Sequence, residues 1–363
     1  MPHPLPPRTP ELTVGTFNAV ANARAAIASL DSSARRLPNP GLLRRPSLRA
    51  EAQSTSALEG TYAPLPAVLA ADDGEEPPDD ALREVLNYVW AAEYAFGWHA
   101  DGRPLTAGLL ADLHGRLMRG VMADARHAGR LRDIQVVIGA HAGIRVQHAR
   151  FVPRPPGPDL EHQVRDLIGW IGSDHGDLVD PVVAAGMAHY QFETLHPFTD
   201  GNGRIGRLLV VLHLLYAGLL TEPTLTISPW FEARRADYYD RLLAVSATGD
   251  WDSWIRFFAE GLDASAAGTE QQLVDLLAVQ EDLKARVRAA GHRADSAIRL
   301  IDFCLQQPIF TIRQAERHLG VTYQAANKLV GRLVEAGVLR QHDGTHRRRF
   351  TAPDVLAVML RAR

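Results

Sequence analysis

Apolar residues recur at helical spacing along most of the chain. Side chains three and four positions apart share one face of a helix, so this spacing marks faces that pack against a core. Helices are therefore predicted at residues 12–30, 47–59, 81–98, 105–122, 159–171, 181–195, 205–217, 232–247, 251–262 and 269–290. An acidic, proline-containing segment at residues 72–80 has the composition of a linker.

A strand pattern interrupts these helices at one place. Residues 134–138 (Ile-Gln-Val-Val-Ile) and residues 150–152 (Arg-Phe-Val) lie on either side of a glycine-containing loop. β-Branched and aromatic residues on both sides of such a loop predict a β-hairpin. The hairpin would be set into an otherwise helical body. It could have a functional role or be an ordinary hairpin of the core.

The C-terminal segment has the pattern of a winged helix. Helical stretches at residues 311–319 and 322–336 each begin with a threonine suited to capping, and Gly320 separates them. Residues 337–339 and 349–351 then bracket an Asp-Gly turn, which predicts a second hairpin. This order is that of a helix-turn-helix followed by a wing. The expected fold class is mainly α, with a C-terminal winged helix-turn-helix domain.

Composition adds a charge asymmetry to this picture. Charged residues at 22% and hydrophobic residues at 46% are ordinary for a soluble globular protein. The net charge is −3, but residues 296–363 hold 11 Lys/Arg against 5 Asp/Glu, which gives +6 and leaves −9 for residues 1–295. Basic charge is thus concentrated in the winged-helix segment, where it favours a DNA partner.

Seven side chains of the winged-helix segment are of types that contact DNA. Those that could read base edges are Tyr323, Gln324, Asn327 and Lys328, and those that could bind phosphates are Arg347, Arg348 and Arg349. Winged helices also serve as protein-interaction modules, so both kinds of partner stay open.

The number of cysteines and the length of the apolar runs indicate in which cellular compartment to expect the protein. The single cysteine, Cys304, excludes an intrachain disulfide. Residues 1–7 lack the apolar stretch of a secretory signal, and the longest apolar run, residues 208–220, is too short to span a bilayer. We therefore expect a cytoplasmic location and no membrane partner. A homodimer stays open.

The strongest chemical signal is the segment His-Pro-Phe-Thr-Asp-Gly-Asn-Gly-Arg-Ile-Gly-Arg at residues 196–207. Pro197 disfavours helical geometry at His196, so the preceding helix should end there and leave a histidine at the start of a loop. Gly201 and Gly203 then leave backbone N–H groups uncovered at the start of the next helix. Such N–H groups bind phosphate oxygens.

Charged side chains complete this segment. Arg204 and Arg207 can donate bidentate hydrogen bonds to phosphate, and Asp200 offers a carboxylate suited to Mg²⁺. A base, an anion site and a metal ligand therefore lie within twelve positions. Residues 201–206 also satisfy the dinucleotide pattern GxGxxG, but a helix and not a strand precedes them. His189, Glu193 and His196 do not have the spacing of a zinc protease, so that class is equally remote.

The segment resembles the motif of the Fic (fido) family, His-Pro-Phe-x-Asp-Gly-Asn-Gly-Arg-x-x-Arg, at every specified position. The resemblance extends through most of the chain and implies a Fic helical core in which the hairpin of residues 134–152 is a flap that aligns the target. It implies an enzyme that transfers AMP from ATP to a Ser, Thr or Tyr hydroxyl of a target protein, itself included. The family's kinase-like toxins carry Lys at the position of Gly203, so adenylyl transfer is favoured here.

The resemblance assigns roles residue by residue. His196 would deprotonate the attacking hydroxyl, Asp200 would bind Mg²⁺, and Phe198 would pack inward to fix the loop. The residues implied for nucleotide binding are Gly201, Asn202 and Gly203 at the α- and β-phosphates, Arg204 and Arg207 at the distal phosphates, and Tyr238 and Tyr239 at the adenine. A tyrosine pair on a helix is as often part of the core.

A second motif lies near the N-terminus. Residues 55–60, Thr-Ser-Ala-Leu-Glu-Gly, resemble the family's inhibitory helix motif, Ser/Thr-x-x-x-Glu-Gly/Asn. Their spacing puts Thr55 and Glu59 on one helix face. The resemblance implies that Glu59 pairs with Arg207 and denies that arginine to the γ-phosphate of ATP. A solvated surface charge is the ordinary interpretation of such a glutamate.

Four parts follow from these assignments: an N-terminal region with the inhibitory helix (1–75), a Fic catalytic domain (76–265), a linker helix (266–295) and a winged-helix domain (296–363). Two functions survive, an autoinhibited adenylyltransferase and a DNA-binding regulator whose Fic domain mainly senses nucleotide. His196 favours the first, because transfer needs a base and sensing does not.

Overall fold

The computed structural model describes residues 5–36, 41–72, 76–121, 126–139, 149–176, 178–291, 295–342 and 348–361. These residues are mostly helical, as predicted. The helices are α1 (Val14–Arg35), α2 (Gly41–Leu58), α3 (Leu65–Ala70), α4 (Asp80–Ala100), α5 (Ala107–Leu117), α6 (Pro158–Ile171), α7 (Pro181–Leu195), α8 (Asn202–Tyr216), α9 (Ser228–Ala233), α10 (Arg235–Thr248), α11 (Trp251–Ala289), α12 (Asp295–Gln306), α13 (Ile312–Leu319), α14 (Tyr323–Glu335) and α15 (Pro353–Met359). Within the described part, none is long and apolar enough to cross a bilayer.

The larger core surrounds α7 and α8. Both helices are buried on almost every side, because their sequences are apolar around the whole circumference. The other helices of this core are α1, α2, α4, α5, α6, α9, α10 and the first half of α11. Helix α1 lies along α11, where the Thr13 amide donates to Asp252 at 2.6 Å and the Ser33 hydroxyl to Glu270 at 2.6 Å.

Helix α11 differs from its prediction. The sequence predicted separate helices at residues 251–262 and 269–290, but one helix of 39 residues runs through both. The intervening residues 263–268 are small or polar, so the apolar periodicity fades there. Alanine is nevertheless the best helix former, and no proline interrupts the segment. Conversely, the helix predicted at residues 232–247 is divided at Arg234 into α9 and α10.

The C-terminal region is a winged helix, as predicted. Strands β1 (Ile309–Thr311), β2 (Arg340–His342) and β3 (Arg349–Thr351) form an antiparallel sheet in the order β1-β3-β2. Thr311 caps α13 through a capping box with Gln314. Strand β1 was not predicted, because three residues are too few to show alternation, and β2 lies a few positions after the predicted 337–339.

Helix α3 joins the two cores. Its Leu69 is 1% exposed and belongs to the core of the winged-helix domain. Arg49 of α2 is fully buried and donates hydrogen bonds to the carbonyl oxygens of Val68 at 2.7 Å, Leu69 at 2.9 Å and Ala71 at 3.0 Å. The N-terminal helices are therefore fastened to the C-terminal domain.

Candidate active site

The segment of residues 196–201 forms a tight loop between α7 and α8. Helix α7 ends at Leu195, as Pro197 predicted, and His196 caps it in the left-handed region at φ 48°. It is the one non-glycine residue with positive φ among those described. Gly201, at φ 74°, precedes the first turn of α8, where a side chain would meet Leu117 at 2.9 Å.

The His196 ring is set up as a base. Its Nδ1–H donates to the carbonyl oxygen of Glu193 at 3.3 Å, which leaves the lone pair on Nε2. Burial lowers the pKa of His196 to about 4, against the raising effect of Glu59. The imidazole is therefore neutral at pH 7 and able to accept a proton.

Buried contacts hold the loop rigid. Phe198 is fully buried and stacks on His114, with ring centroids 3.9 Å apart. The Gly129 amide donates to Nδ1 of His114, so Nε2–H of that ring donates to the Asp200 carbonyl at 3.1 Å. The Asn202 side chain accepts from the Phe198 amide and donates to the Phe198 carbonyl, both at 2.9 Å. Asn202 thus shapes the loop with its side chain and leaves its main-chain N–H at the helix start.

The two arginines lie on the first turns of α8 and are buried. Arg204 is 2% exposed and contacts Glu84 at 3.1 Å and Asp200 at 3.5 Å. The same Glu84 oxygen, Oε2, also accepts a hydrogen bond from the Thr61 hydroxyl at 2.9 Å. Both guanidinium groups therefore lie near the N-terminus of α8, where N–H groups without intrahelical acceptors also concentrate positive charge.

Arg207 is held by the end of α2. It donates from Nε to the Thr55 hydroxyl at 2.7 Å, and from Nη2 to the Thr55 carbonyl at 3.0 Å and to Oε1 of Glu59 at 2.7 Å. Burial would raise the pKa of Glu59, but the charge and hydrogen bond of Arg207, together with the charge of Arg204 and the effect of His196, outweigh it and lower that pKa. Glu59 is therefore ionised at neutral pH, so the solvated-charge interpretation is not what the structure shows.

Gly203 makes room for this carboxylate. A Cβ at Gly203 would lie 2.0 Å from Oε1 of Glu59, so the carboxylate sits directly against the first turn of α8. A helix N-terminus with neighbouring arginines is where an anionic phosphate would also bind.

Buried Glu51 fixes α2 in this position. It accepts from the amides of Ile227 at 2.8 Å and Ser228 at 2.9 Å, at the start of α9, and from the Ser228 hydroxyl. A carboxylate at a helix N-terminus is favourable. This contact anchors α2 to α9, as Arg49 anchors it to α3.

The two tyrosines have different environments. Tyr238 is fully buried, and its hydroxyl donates to Nε2 of His189 at 2.7 Å, because Nδ1–H of that ring donates to the Gly206 carbonyl. Tyr238 is thus a core residue. Tyr239 is partly exposed, and burial together with the charge of Glu59 raises its pKa to about 12. Only Tyr239 of the pair faces the charged groups from an accessible position.

The predicted flap appears as two arms. The first flap arm (residues 134–139) and the second flap arm (residues 149–154) meet at one antiparallel bridge between Ile138 and Phe151. The Ile138 amide donates to Phe151 at 2.9 Å. Residues 140–148, at the tip of the hairpin, lie outside the described residues. Ile134 is 51% and Val152 44% exposed, so both arms offer apolar side chains to a partner.

The candidate DNA-facing surface is the start of α14. Tyr323, Gln324 and Lys328 are exposed, and Arg348 donates to the side chain of Asn327 at 3.2 Å, which joins the wing to the helix. Arg347 lies outside the described residues.

Comparison with known families gives matches for both the helical body and the C-terminal winged helix. Residues 17–97 match the Fic/DOC family N-terminal model, residues 104–214 the Fic/DOC family model, and residues 294–349 the MarR family model. The molecule is thus a Fic domain with its N-terminal region, followed by a MarR-type winged helix. The chain belongs to the Fic/DOC family.

The curated relatives that the chain matches are named protein adenylyltransferases. The chain is similar to protein adenylyltransferase fic-1 of Caenorhabditis elegans, with 34% identity over 158 residues that make up 43% of this chain and 27% of that protein. It is also similar to protein adenylyltransferase Fic of Culex quinquefasciatus, with 36% identity over 152 residues, 42% of this chain and 26% of that protein. The matched part spans about a quarter of the length of these relatives.

Solved structures share the fold. A Fic family protein from Desulfovibrio desulfuricans G20 superposes with a TM-score of 0.59 at 22% identity, covering 95% of this chain and 98% of that one. Fic-1 from C. elegans superposes with a TM-score of 0.54 at 23% identity, covering 72% and 73%. The first likeness includes the C-terminal domain, because it extends over almost the whole chain.

Several residues of the site carry no signal in the sequence. His114 and Glu84 lie on α5 and α4, where each is one of several polar residues on a helical pattern. Arg132 is one arginine among several, yet it donates to the carbonyl of His196 at 2.8 Å. These contacts arise only when distant segments pack together.

Proposed function

We propose that this protein transfers AMP from ATP to a hydroxyl group of a protein side chain. The observation that carries the proposal is His196, a neutral base whose Nε2 carries the lone pair, held beside the N-terminus of α8 and the buried Arg204 and Arg207. A base beside an anion site is what attack of a hydroxyl on a phosphate needs.

The proposed step involves one bond made and one broken. The hydroxyl oxygen of the target attacks the α-phosphorus, its proton passes to Nε2 of His196, and the bond from the α-phosphorus to the bridging oxygen of the β-phosphate breaks. Pyrophosphate leaves, and AMP stays on the target as a phosphodiester. The amides of Asn202 and Gly203 and the two arginines would hold the phosphates, whereas the Gly201 amide donates to Oδ1 of Asp200 at 2.6 Å.

The target would bind along the flap. The amides and carbonyls of its two arms can pair with an extended segment by strand addition, and exposed Ile134 and Val152 can contact alternate side chains. This arrangement would bring a Ser, Thr or Tyr of the target towards His196. A partly exposed aromatic ring, Tyr239, suits the adenine.

Asp200 is the residue proposed to hold Mg²⁺. Its side chain is half exposed, and no cluster of three or more metal-ligating side chains lies near it among the described residues. This fits Mg²⁺, which commonly binds through one or two carboxylates together with substrate phosphates. When bound, the ion would neutralise charge on those phosphates.

Asp200→Ala is expected to reduce AMP incorporation strongly and to remove its dependence on added Mg²⁺. The reason is that the variant loses the carboxylate that brings the ion to the phosphates. Titrating MgCl₂ against the initial rate measures this. A variant that keeps the wild-type Mg²⁺ dependence would show that other groups hold the ion.

We also propose that Glu59 inhibits the enzyme. Its carboxylate lies against Gly203 and binds Arg207, so it occupies the charge and the space that a γ-phosphate would use. ATP would then bind with its α-phosphate misaligned for attack. Thr55 reinforces the arrangement by taking two further donors of Arg207.

One experiment separates the candidate reactions. The Glu59→Gly protein is incubated with Mg²⁺ and ATP labelled at either the α- or the γ-phosphate, and protein-bound label is counted. Adenylyl transfer predicts label from the α-phosphate alone. Label from the γ-phosphate would indicate phosphorylation. ATP binding without any label would favour a nucleotide sensor, in which the winged helix carries the function as a DNA-binding regulator.

DNA is the proposed partner of the winged-helix domain. The match to the MarR family, the excess of basic residues and the exposed polar start of α14 support duplex DNA. In this arrangement α14 would enter the major groove, and Arg348 and Arg349 on the wing would contact phosphates.

Replacing Arg348 and Arg349 by Ala is expected to weaken DNA binding and flatten its salt dependence. Each lost phosphate contact reduces the slope of log affinity against log salt by about 0.9. Fluorescence anisotropy with duplex DNA across a salt series measures the slope. Arg361→Ala is the matched control, because Arg361 pairs with Asp275 at 2.6 Å. No affinity of the intact protein for duplex DNA at low salt would identify a protein-interaction module.

A further inference from the structure

Arg132 is a buried cation at the base of the flap. It is 2% exposed, and no ion pair joins it to a carboxylate within the described part of the chain. Burial lowers its pKa, although the group stays charged at neutral pH. A buried charge is unfavourable unless hydrogen bonds replace its hydration, so the acceptors around Arg132 explain its presence.

Those acceptors are carbonyl oxygens from three segments. Nε donates to His196 at 2.8 Å, and Nη2 donates to Leu195 at 3.4 Å, both at the end of α7. Nη1 donates to Ile134 at 3.2 Å on the first flap arm, and Nη2 also donates to Arg154 on the second. The planar guanidinium thus binds the last carbonyls of α7 and one carbonyl of each flap arm.

The hydrogen bond from Arg132 to the His196 carbonyl helps to fix the direction in which the His196 ring points. His196 has a left-handed backbone, which is unfavourable for a residue with a side chain and persists only where surrounding contacts fix it. On its C-terminal side, the hydrogen bond from Arg132 to the His196 carbonyl and one from the Arg132 amide to the Pro197 carbonyl at 2.9 Å fix it, and on its N-terminal side the Leu195 carbonyl accepts from Arg132. With Nδ1 bound to Glu193, the direction of Nε2 is then determined.

The contacts of Arg132 with the two flap arms concern the target hydroxyl. If a target segment adds to the flap, the position of its hydroxyl depends on where the two arms leave the body of the protein. We infer that Arg132 is a positioning residue, which fixes the flap-bound hydroxyl relative to Nε2 of His196 by binding both flap arms and the end of α7. It touches neither ATP nor the hydroxyl. This inference rests on the proposed adenylyl transfer.

A positioning role predicts a specific change in kinetics. In the Glu59→Gly background, Arg132→Lys is expected to reduce the maximal rate of self-modification about 100-fold, since a displacement near 1 Å can cost that much. A lysine has no planar fork with which to bind all the carbonyls. The KM for ATP should stay within about twofold, because Arg204 and Arg207 are unchanged.

Arg132→Ala provides a second measurement. Guanidinium chloride at millimolar, non-denaturing concentration should restore part of its rate, and NaCl or methylammonium chloride at the same concentration should not. Arg130→Ala is the matched control, because Arg130 is an exposed arginine two residues away. Thermal unfolding of each variant reports on folding, and Arg132→Lys remains informative if Arg132→Ala does not fold.

The outcomes separate the two proposals. No AMP incorporation by the Glu59→Gly parent would overturn the proposed function. An active parent whose Arg132→Lys derivative is equally fast would overturn only the role of Arg132. A parallel loss of rate and ATP affinity, or a folded Arg132→Ala variant that guanidinium does not rescue, would also overturn it. A lower rate with unchanged KM for ATP and rescue by guanidinium alone would support it.

Discussion

Glu59→Gly is expected to raise the rate of AMP incorporation about 100-fold over the wild-type protein. Removing the carboxylate ends the ion pair of Arg207 with Glu59 and opens the space above Gly203, so the γ-phosphate can bind and the α-phosphate can align with His196. A bias of about 3 kcal/mol towards the closed arrangement corresponds to roughly two orders of magnitude in rate. The measurement is transfer of α-phosphate label to protein, self-modification included.

Companion variants test the reason for this gain. Glu59→Ala should activate as strongly, because it removes the carboxylate without the added backbone freedom of glycine. Glu59→Gln should activate partially, since an amide still fills the space but does not neutralise an arginine. Adding Arg207→Ala to Glu59→Gly should erase the gain. A Glu59→Gly protein no faster than wild type would remove the inhibitory role of α2 and leave the role of His196 intact.

His196→Ala, in the Glu59→Gly background, is expected to reduce AMP transfer by about 100- to 10,000-fold, the range that a general base contributes. The phosphates are held by other groups, so ATP should bind with unchanged affinity. Initial rates of label transfer and equilibrium ATP binding, measured on the same protein, test both parts.

His162→Ala is the control for this variant. His162 lies on α6, with its side chain 70% exposed and 3.3 Å from Asp166, so its loss should leave the rate unchanged. Equal rates for the His196→Ala protein and its parent would remove His196 from the mechanism, whatever the binding measurement gives.

The loop of residues 196–207 was predictable because its chemistry is contiguous. Pro197 ends α7, Gly201 supplies a left-handed residue, and both arginines follow on the next helix, so local rules alone produce most of the geometry. The pairing of Glu59 with Arg207 was implied by a family motif, and the structure contains it at 2.7 Å. No local rule connects residues 148 positions apart.

Other parts of the site depend on packing between distant segments. Nothing near Arg132 in the sequence indicates that its guanidinium will meet the end of α7, because that contact joins positions 64 apart. Asn202 was assigned to phosphate; its side chain binds the Phe198 backbone, so its main-chain N–H is the group left for that role. An asparagine satisfies either role equally well, so only the folded loop distinguishes them.

The packing of α1 against α11 has a consequence for how the protein forms on the ribosome. Helix α1 leaves the exit tunnel early, yet its partner surface, which begins at Trp251, follows more than 200 residues later. At roughly 5 to 20 residues per second, α1 stays without that surface for about 10 to 50 s. Leu69 of α3 stays unburied for longer, because most of the winged-helix core that contains it lies beyond residue 296. The surface of α1 that packs on α11 and the Leu69 side chain of α3 are therefore exposed during this interval, when a chaperone can bind them.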